Sequence, residues 1–378
     1  MSIGYSEIFT VRNVILSGIF LFLGASASYS DIAPERPVVE TLGQPTDSWF
    51  FNRSSQGAYL FDSTSGEMLG LLSLTSYTPA IAINRSRGEV YAAESYWSRL
   101  YRGKREEVLT VYDITTLSPV AEIDIPDKIA GVTGAINIGL MGNGRHVVVY
   151  NMTPAQSVSV VDIENRIFTA EISTPGCGMI MPVNDASFLM VCGDGTIQLI
   201  RLSDDGTESK RVRSGKFFSV DDDAVFDVAA RTRDGWLLVS HAGLVYEVSV
   251  DGAKISVSKP WSMVSDAERK ELWRPGGYGL LTVHRSSNLA FILMHQGKVD
   301  THHEPGTELW IFDTDTHRRV KRWVLDKPWG NILVLQGERP RLIAHTDDGE
   351  LQVYDALQQR LERTIAEPGP GVSLLQGF

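Results

Sequence analysis

A short motif recurs along almost the whole chain, and it limits the possible folds more than any other feature of the sequence. Tyr59-Leu60-Phe61-Asp62, Thr110-Val111-Tyr112-Asp113, Ser159-Val160-Val161-Asp162, Trp310-Ile311-Phe312-Asp313 and Gln352-Val353-Tyr354-Asp355 each read as apolar strand residues, then an acid, then a turn. Two degenerate copies, Leu199-Ile200-Arg201 and Val245-Tyr246-Glu247, bring the number to seven, at spacings of 51, 49, 39, 46, 66 and 42 residues. A second element lies between the copies: an alternating strand, a small polar turn and another strand. It runs from Ala80 to Tyr91 around Asn84-Arg85-Ser86, from Ile138 to Val149 around Gly142-Asn143-Gly144, and from Leu281 to Met294 around Ser286-Ser287-Asn288. About four strands per 40 to 50 residues is the period of a propeller blade. The expectation is therefore an all-β fold, a seven-bladed β-propeller of four-stranded blades over residues 48–378. A right-handed solenoid is the competitor, disfavoured by the unequal spacings. Val372 to Leu375 reads as a strand able to complete the blade begun by Ser48 to Asp62, which would hide two open edges. The one convincing helix is Ser265 to Leu272, with Ser265 as N-cap and Glu268 three residues on.

Ahead of the repeat, Arg12 precedes an apolar run from Val14 to Leu23, and Ala25-Ser26-Ala27 supplies small residues of the kind a signal peptidase accepts. Residues 1–27 read as a signal peptide and 28–47 as an N-terminal extension, with an uncleaved anchor as the alternative. The run is too short for an ordinary spanning helix, which needs roughly 20 residues. An exported, periplasmic protein with no membrane attachment after cleavage is expected. The 35 basic and 46 acidic residues leave a net charge of −11, which argues against nucleic acid as a partner.

Chemistry-bearing motifs are scarce. The sequence holds no phosphate loop, nucleophile elbow, His-Glu-x-x-His or Cys-x-x-Cys. Cys177 and Cys192 flank an apolar hairpin, Met179 to Val191, and read either as a disulfide across adjacent strands or as two buried thiols. His302-His303-Glu304 is the only histidine cluster suggesting a metal, but neighbouring side chains on an extended segment point apart. A solvated loop is expected there and no metal site. Between Tyr96 and Arg105, Trp97, Arg99, Tyr101, Arg102, Lys104 and Arg105 interleave aromatics with cations in an acidic chain. This is either a partner surface or a loop whose cations pair with Glu106 and Glu107. Tyr77-Thr78-Pro79 places an aromatic at a strand end, read as packing or as part of a face where loops converge.

Several segments together resemble one family. Ser98-Arg99-Leu100-Tyr101-Arg102-Gly103-Lys104-Arg105 running into Val111-Tyr112-Asp113, Trp273-Arg274-Pro275-Gly276-Gly277-Tyr278 followed by His284-Arg285, and the Cys177 and Cys192 pair resemble the heavy subunit of the tryptophan tryptophylquinone amine dehydrogenases. The resemblance covers nearly all of the chain beyond the signal segment. It implies a seven-bladed propeller in an α2β2 heterotetramer that oxidises a primary amine to an aldehyde and ammonia. The cofactor, tryptophan tryptophylquinone, would sit on the light subunit, so no catalytic residue is expected on this chain. Electrons would pass to a blue copper protein, azurin or amicyanin. Tyr77 matches the position at which family heavy chains place a channel aromatic, usually phenylalanine. Cys192-Gly193-Asp194-Gly195, Pro260-Trp261-Ser262 and Met294-His295 look closer to the aromatic amine (aralkylamine) dehydrogenase branch, whereas Trp273 to Gly277 is similar to methylamine dehydrogenase. The aromatic branch is the expectation and the methylamine branch the alternative. A quinone-free periplasmic propeller acting as a binding scaffold is the reading from another class.

Overall fold

The computed structural model describes residues 41–54, 57–75, 81–127, 134–152, 155–370 and 374–378. One compact unit spans Glu40–Phe378. The expected signal peptide, and the extension as far as residue 40, lie outside the described residues.

The acid of the repeat has a definite local task. In all five regular copies it ends a strand and accepts backbone N–H groups from the turn that follows. Asp62 accepts from Thr64 at 2.7 Å, and Asp113 from Thr115 and Thr116 at 2.9 and 2.8 Å. Asp162, Asp313 and Asp355 each accept from the residues two and three further on, at 2.8 to 3.1 Å. A short carboxylate bound to its own turn satisfies donors that the strand ladder leaves behind. The two degenerate copies were placed slightly early, since their strands end at Leu202 and Asp251 rather than at Arg201 and Glu247.

Antiparallel pairing organises these strands into an all-β propeller. Four sheets have four strands each: Leu374–Gly377 with Trp49–Ser54, Gly57–Asp62 and Met68–Leu72; Ile81–Asn84 to Pro119–Asp124; Ile138–Leu140 to Ile167–Ser173; and Cys177–Asn184 to Glu208–Arg213. A fifth sheet, Val225–Arg231 to Lys254–Val257, gains the short strand Trp261–Ser262, and the sixth has eight strands from Trp273–Pro275 to Arg360–Ile365. The hydrogen bonding therefore does not divide the strands into the seven separate four-stranded sheets expected from the repeat. The reason is one strand of 17 residues, Arg318–Val334. Its first part pairs with Gly306–Asp313 and its last part with Arg341–Thr346, so no break in the ladder separates the two sets.

The middle strands of the sheets are buried on both faces, which is why segments such as Trp49–Ser54, Ser157–Asp162 and Ser187–Cys192 are buried throughout instead of alternating. Each sheet face packs on a different neighbour. Phe51 and Leu60 meet Val90 and Tyr112; Tyr91 meets Val147 and Val161; Val148 and Val160 meet Phe188 and Met190; Leu189 and Leu199 meet Leu238 and Tyr246. Phe226 and Leu237 join the eight-stranded sheet, and Ile343 and Val353 of that sheet pack on Phe50 and Phe61. The chain of contacts returns to its start, which is the signature of a ring of sheets and not of an open stack.

The first strand of the propeller meets the last where the ring closes. Leu374–Gly377 pairs with Trp49–Ser54 in the register Phe51↔Gln376 and Asn52↔Leu375. The closing strand thus lies slightly later than Val372 to Leu375, and Val372 itself is outside the described residues. Phe378 stacks on Phe51 at 5.5 Å and meets Trp49 edge-on at 6.1 Å. The helix also forms, over Asp266–Lys270, with the reciprocal bonds between Ser265 and Glu268 expected of a capping box. It falls in the longest gap of the repeat, an insertion between sheets.

Candidate functional site

In an antiparallel sheet whose strands run outward from the axis, turns between second and third strands and connections to the next sheet emerge at one end. That end carries the Tyr96 to Arg105 segment, both cysteines and the histidine cluster. Tyr77 lies outside the described residues, between the strands Met68–Leu72 and Ile81–Asn84.

The aromatic and cationic segment is the tip of the longest hairpin in its sheet, Glu89–Arg99 with Arg102–Asp113. Its partner strands in the same sheet are only 4 and 6 residues long, so the hairpin extends beyond them. Leu100 and Tyr101 form the tip and are 84% and 75% exposed. Leu100 takes a positive φ of 61°, and Gly103 a φ of 102°, which supplies the sharp reversal. Trp97 is half-buried, and the Arg105 guanidinium lies 5.8 Å from its ring centroid across the strand pair. Lys104 pairs with Glu106 at 2.7 Å and Arg105 pairs with the buried Glu107. Two cations are thus tied down by neighbouring acids, whereas Arg99 and Arg102 form no ion pair among the described residues. The tip projects two aliphatic or aromatic side chains between two unneutralised guanidiniums.

Beneath the hairpin lies a buried polar cluster. Glu94, fully buried, accepts hydrogen bonds from Tyr112 Oη at 2.9 Å, Tyr96 Oη at 3.2 Å and the Thr75 N–H at 2.9 Å. Burial and the Glu94 charge push the Tyr96 phenol up to about 12 and Tyr112 higher still. Arg53 is buried as well, and desolvation lowers its pKa to about 10 against the opposing pull of Glu94. The phenols donate and do not ionise at neutral pH, and the Glu94 carboxylate fixes the backbone at Thr75.

Cys177 and Cys192 face each other in the register and form a disulfide with Cα atoms 4.0 Å apart. The alternative of two free thiols is thereby set aside. The bridge ties the first two strands of the sheet where they emerge at this end.

The histidines differ from expectation. His302 and His303 do not diverge, because residues 297–305 are loop and not strand. Their ring centroids are 4.1 Å apart, His302 stacks on His241 at 4.2 Å, and His303 stacks on Tyr278 at 5.2 Å. Desolvation first, then the neighbouring imidazoles, lowers the pKa of both His241 and His302, so these two rings are neutral at pH 7. No group of three or more His, Cys, Asp or Glu side chains among the described residues is arranged to hold a metal ion. Nothing local in the sequence announces the stack, since His241 comes from a different sheet.

First strands of several sheets line a cavity of about 370 Å³ on the ring axis, with Asp227, Arg231, Thr282, Arg285 and Asn331 among its polar walls. Sequence reading named Arg285 only as part of the family resemblance and singled out none of the others, for each sits in an ordinary strand or turn. Among the described residues, no nucleophile and base pair lines it.

Comparison with known proteins gives the arrangement its context. The family model described as methylamine dehydrogenase heavy chain matches residues 46–376. The methylamine dehydrogenase heavy chain of Methylobacillus flagellatus is 27% identical over 323 residues, covering 84% of this chain and 80% of the relative. Those of Methylophilus methylotrophus and Paracoccus versutus are 24% and 26% identical, each over 84% of this chain and over 78% and 75% of their own lengths. Among solved structures, a functionally unknown protein from Desulfotomaculum acetoxidans superposes with a TM-score of 0.59 at 12% identity, over 87% of this chain and 98% of that one. The dihydro-heme d1 dehydrogenase NirN superposes at 0.53 with 15% identity, over 87% and 75%. These structural likenesses concern the fold alone.

Proposed function

Because the chain belongs to the methylamine dehydrogenase heavy-chain family, we propose that it is the heavy subunit of a periplasmic quinoprotein amine dehydrogenase that oxidises primary amines to aldehyde and ammonia. The observation that carries this reading is the family match from residue 46 to residue 376, nearly the whole propeller. In this family a light chain bears the tryptophan tryptophylquinone, which supplies the oxidising chemistry. The part of this chain is to seat that subunit in an α2β2 assembly and to wall the approach to it.

Trp97, Arg99, Tyr101, Arg102, Lys104 and Arg105 are the proposed contact with the light chain. Their support is the exposed tip flanked by two guanidiniums free of ion pairs. Tyr77 is proposed as the channel aromatic on its position in the sequence. The electron acceptor is proposed to be a blue copper protein, azurin or amicyanin. Residues 1–27 are proposed as a signal peptide and 28–47 as an extension ahead of the propeller of residues 48–378. The disulfide supports export, since such bonds persist in oxidising compartments. We also count seven blades, taking the eight-stranded sheet as two joined through Arg318–Val334.

Two amine classes compete. Aromatic amines are the proposal from the residues around Cys192, Trp261 and His295. Methylamine is the second reading, favoured by the names of the relatives. Steady-state rates with phenylethylamine and methylamine on the native complex decide between them. A rate constant over KM at least tenfold higher for one amine assigns the class, and activity with neither contradicts the amine dehydrogenase reading.

A further inference from the structure

We propose that the axial cavity is a binding site for a small oxyanion, a phosphate or a carboxylate, held between Arg231 and Arg285. Arg231 ends the strand Val225–Arg231 and Arg285 follows Leu281–His284, two first strands that pack side by side on the axis. Both arginines line the same cavity of about 370 Å³, a volume within the range of small-ligand pockets.

The Arg231 guanidinium is fixed in place by neutral groups. It donates to the Pro182 carbonyl and, at 3.1 Å, to the Val183 carbonyl, and it lies 5.7 Å from the centroid of the Trp236 ring. These partners orient the charge without cancelling it. Arg285 is exposed toward the cavity, and its backbone N–H is held by Gln336 Oε1 at 3.1 Å. Neither arginine forms an ion pair among the described residues.

Among the described residues, the one acidic side chain on the cavity wall is Asp227. It lies on the same strand face as Arg231 but four residues earlier, roughly 13 Å away along an extended strand. It sits by the histidine array instead. Burial and the repulsion of Arg285 both weigh on the Arg231 cation. In a chain of net charge −11, two guanidiniums that repel each other across a cavity, one of them rigidly held, are poised for a shared anion. Planar guanidiniums take phosphate and carboxylate oxygens in paired hydrogen bonds, which a lone ammonium does not.

The test is calorimetric titration of the purified full-length protein with inorganic phosphate at low ionic strength, repeated with succinate. Saturable binding near one per chain is expected, weakened at least tenfold in Arg285→Ala and less in Arg285→Lys, with unchanged circular dichroism and melting. Tighter binding of phosphate or of succinate names the source of the oxyanion. Absence of saturable binding of both anions to the wild-type chain overturns the proposal. So does Arg285→Ala binding as tightly as wild type. Because the titration involves neither amine nor light chain, its failure leaves the amine dehydrogenase reading untouched.

Discussion

Asp162 shows what a single residue of the repeat contributes. It is buried, accepts from Arg145 at 2.6 and 2.9 Å, and bonds the turn at Glu164 and Asn165. Burial alone would raise its pKa, but the Arg145 and Asn165 hydrogen bonds outweigh that and hold the carboxyl far below its ordinary value. The folded state therefore binds this proton less readily than the unfolded chain. Its stabilisation is complete above the unfolded value of about 3.9 and is lost as pH falls toward the folded one. Asp162→Asn is expected to cost about 1–3 kcal/mol at pH 7. Urea unfolding at pH 7 and at pH 3 checks it: the gap between variant and wild type should narrow at the lower pH, and a constant gap would contradict the account. The disulfide gives a second prediction. Cys177→Ser with Cys192→Ser should lower stability by about 3 kcal/mol for a loop of 15 residues, read as a lower urea midpoint. Both residues were visible in the sequence because each makes its contacts within one turn or one hairpin. Arg231 and His241 were not, since their partners come from distant parts of the chain, and Arg285 was named only within the family resemblance.

At the scale of elements, the hairpin Glu89–Arg99 with Arg102–Asp113 carries the clearest prediction. Arg99→Glu with Arg102→Glu should leave melting unchanged within about 0.5 kcal/mol, as expected of exposed positions. The same pair should reduce recovery of the light chain in copurification at least tenfold. Equal recovery would remove the tip from the interface. The cations of this segment were readable, but it was read as a partner surface or a loop, and the continuation of paired strands to the tip was not foreseen. The short helix was readable, because its capping box is a local pattern. Boundaries were less so. The repeat implied separate blades, but whether hydrogen bonding breaks within Arg318–Val334 depends on how adjacent sheets approach. The loop at His302 was expected and is present, but the two rings were taken to point apart as on an extended chain, and they pack together instead.

For the whole molecule, closure of the ring is the structural claim. Removing residues 374–378 would strip Trp49–Ser54 of its partner strand and expose Phe51 and Leu375's pocket, leaving an open edge. The truncated chain should lose on the order of 3 kcal/mol or more from the apolar contacts of Leu375 and Phe378 and become prone to self-association. Thermal melting with light scattering tests this, and a truncated chain as stable and monomeric as the full one would contradict it. The repeat made the propeller legible because a closed ring of sheets needs the same buried strand pattern in each. Function was not legible from catalytic motifs, and the resemblance across the chain carried it, since the proposed reactive group belongs to another subunit. The central claim is therefore about partnership. Its most direct test is isolation of the native protein, followed by denaturing mass analysis and a visible spectrum before and after adding phenylethylamine or methylamine. A smaller copurifying chain with a modified tryptophan pair, and a quinone absorption bleached by one of the amines, is the predicted result. A single colourless chain that responds to neither amine would contradict the account.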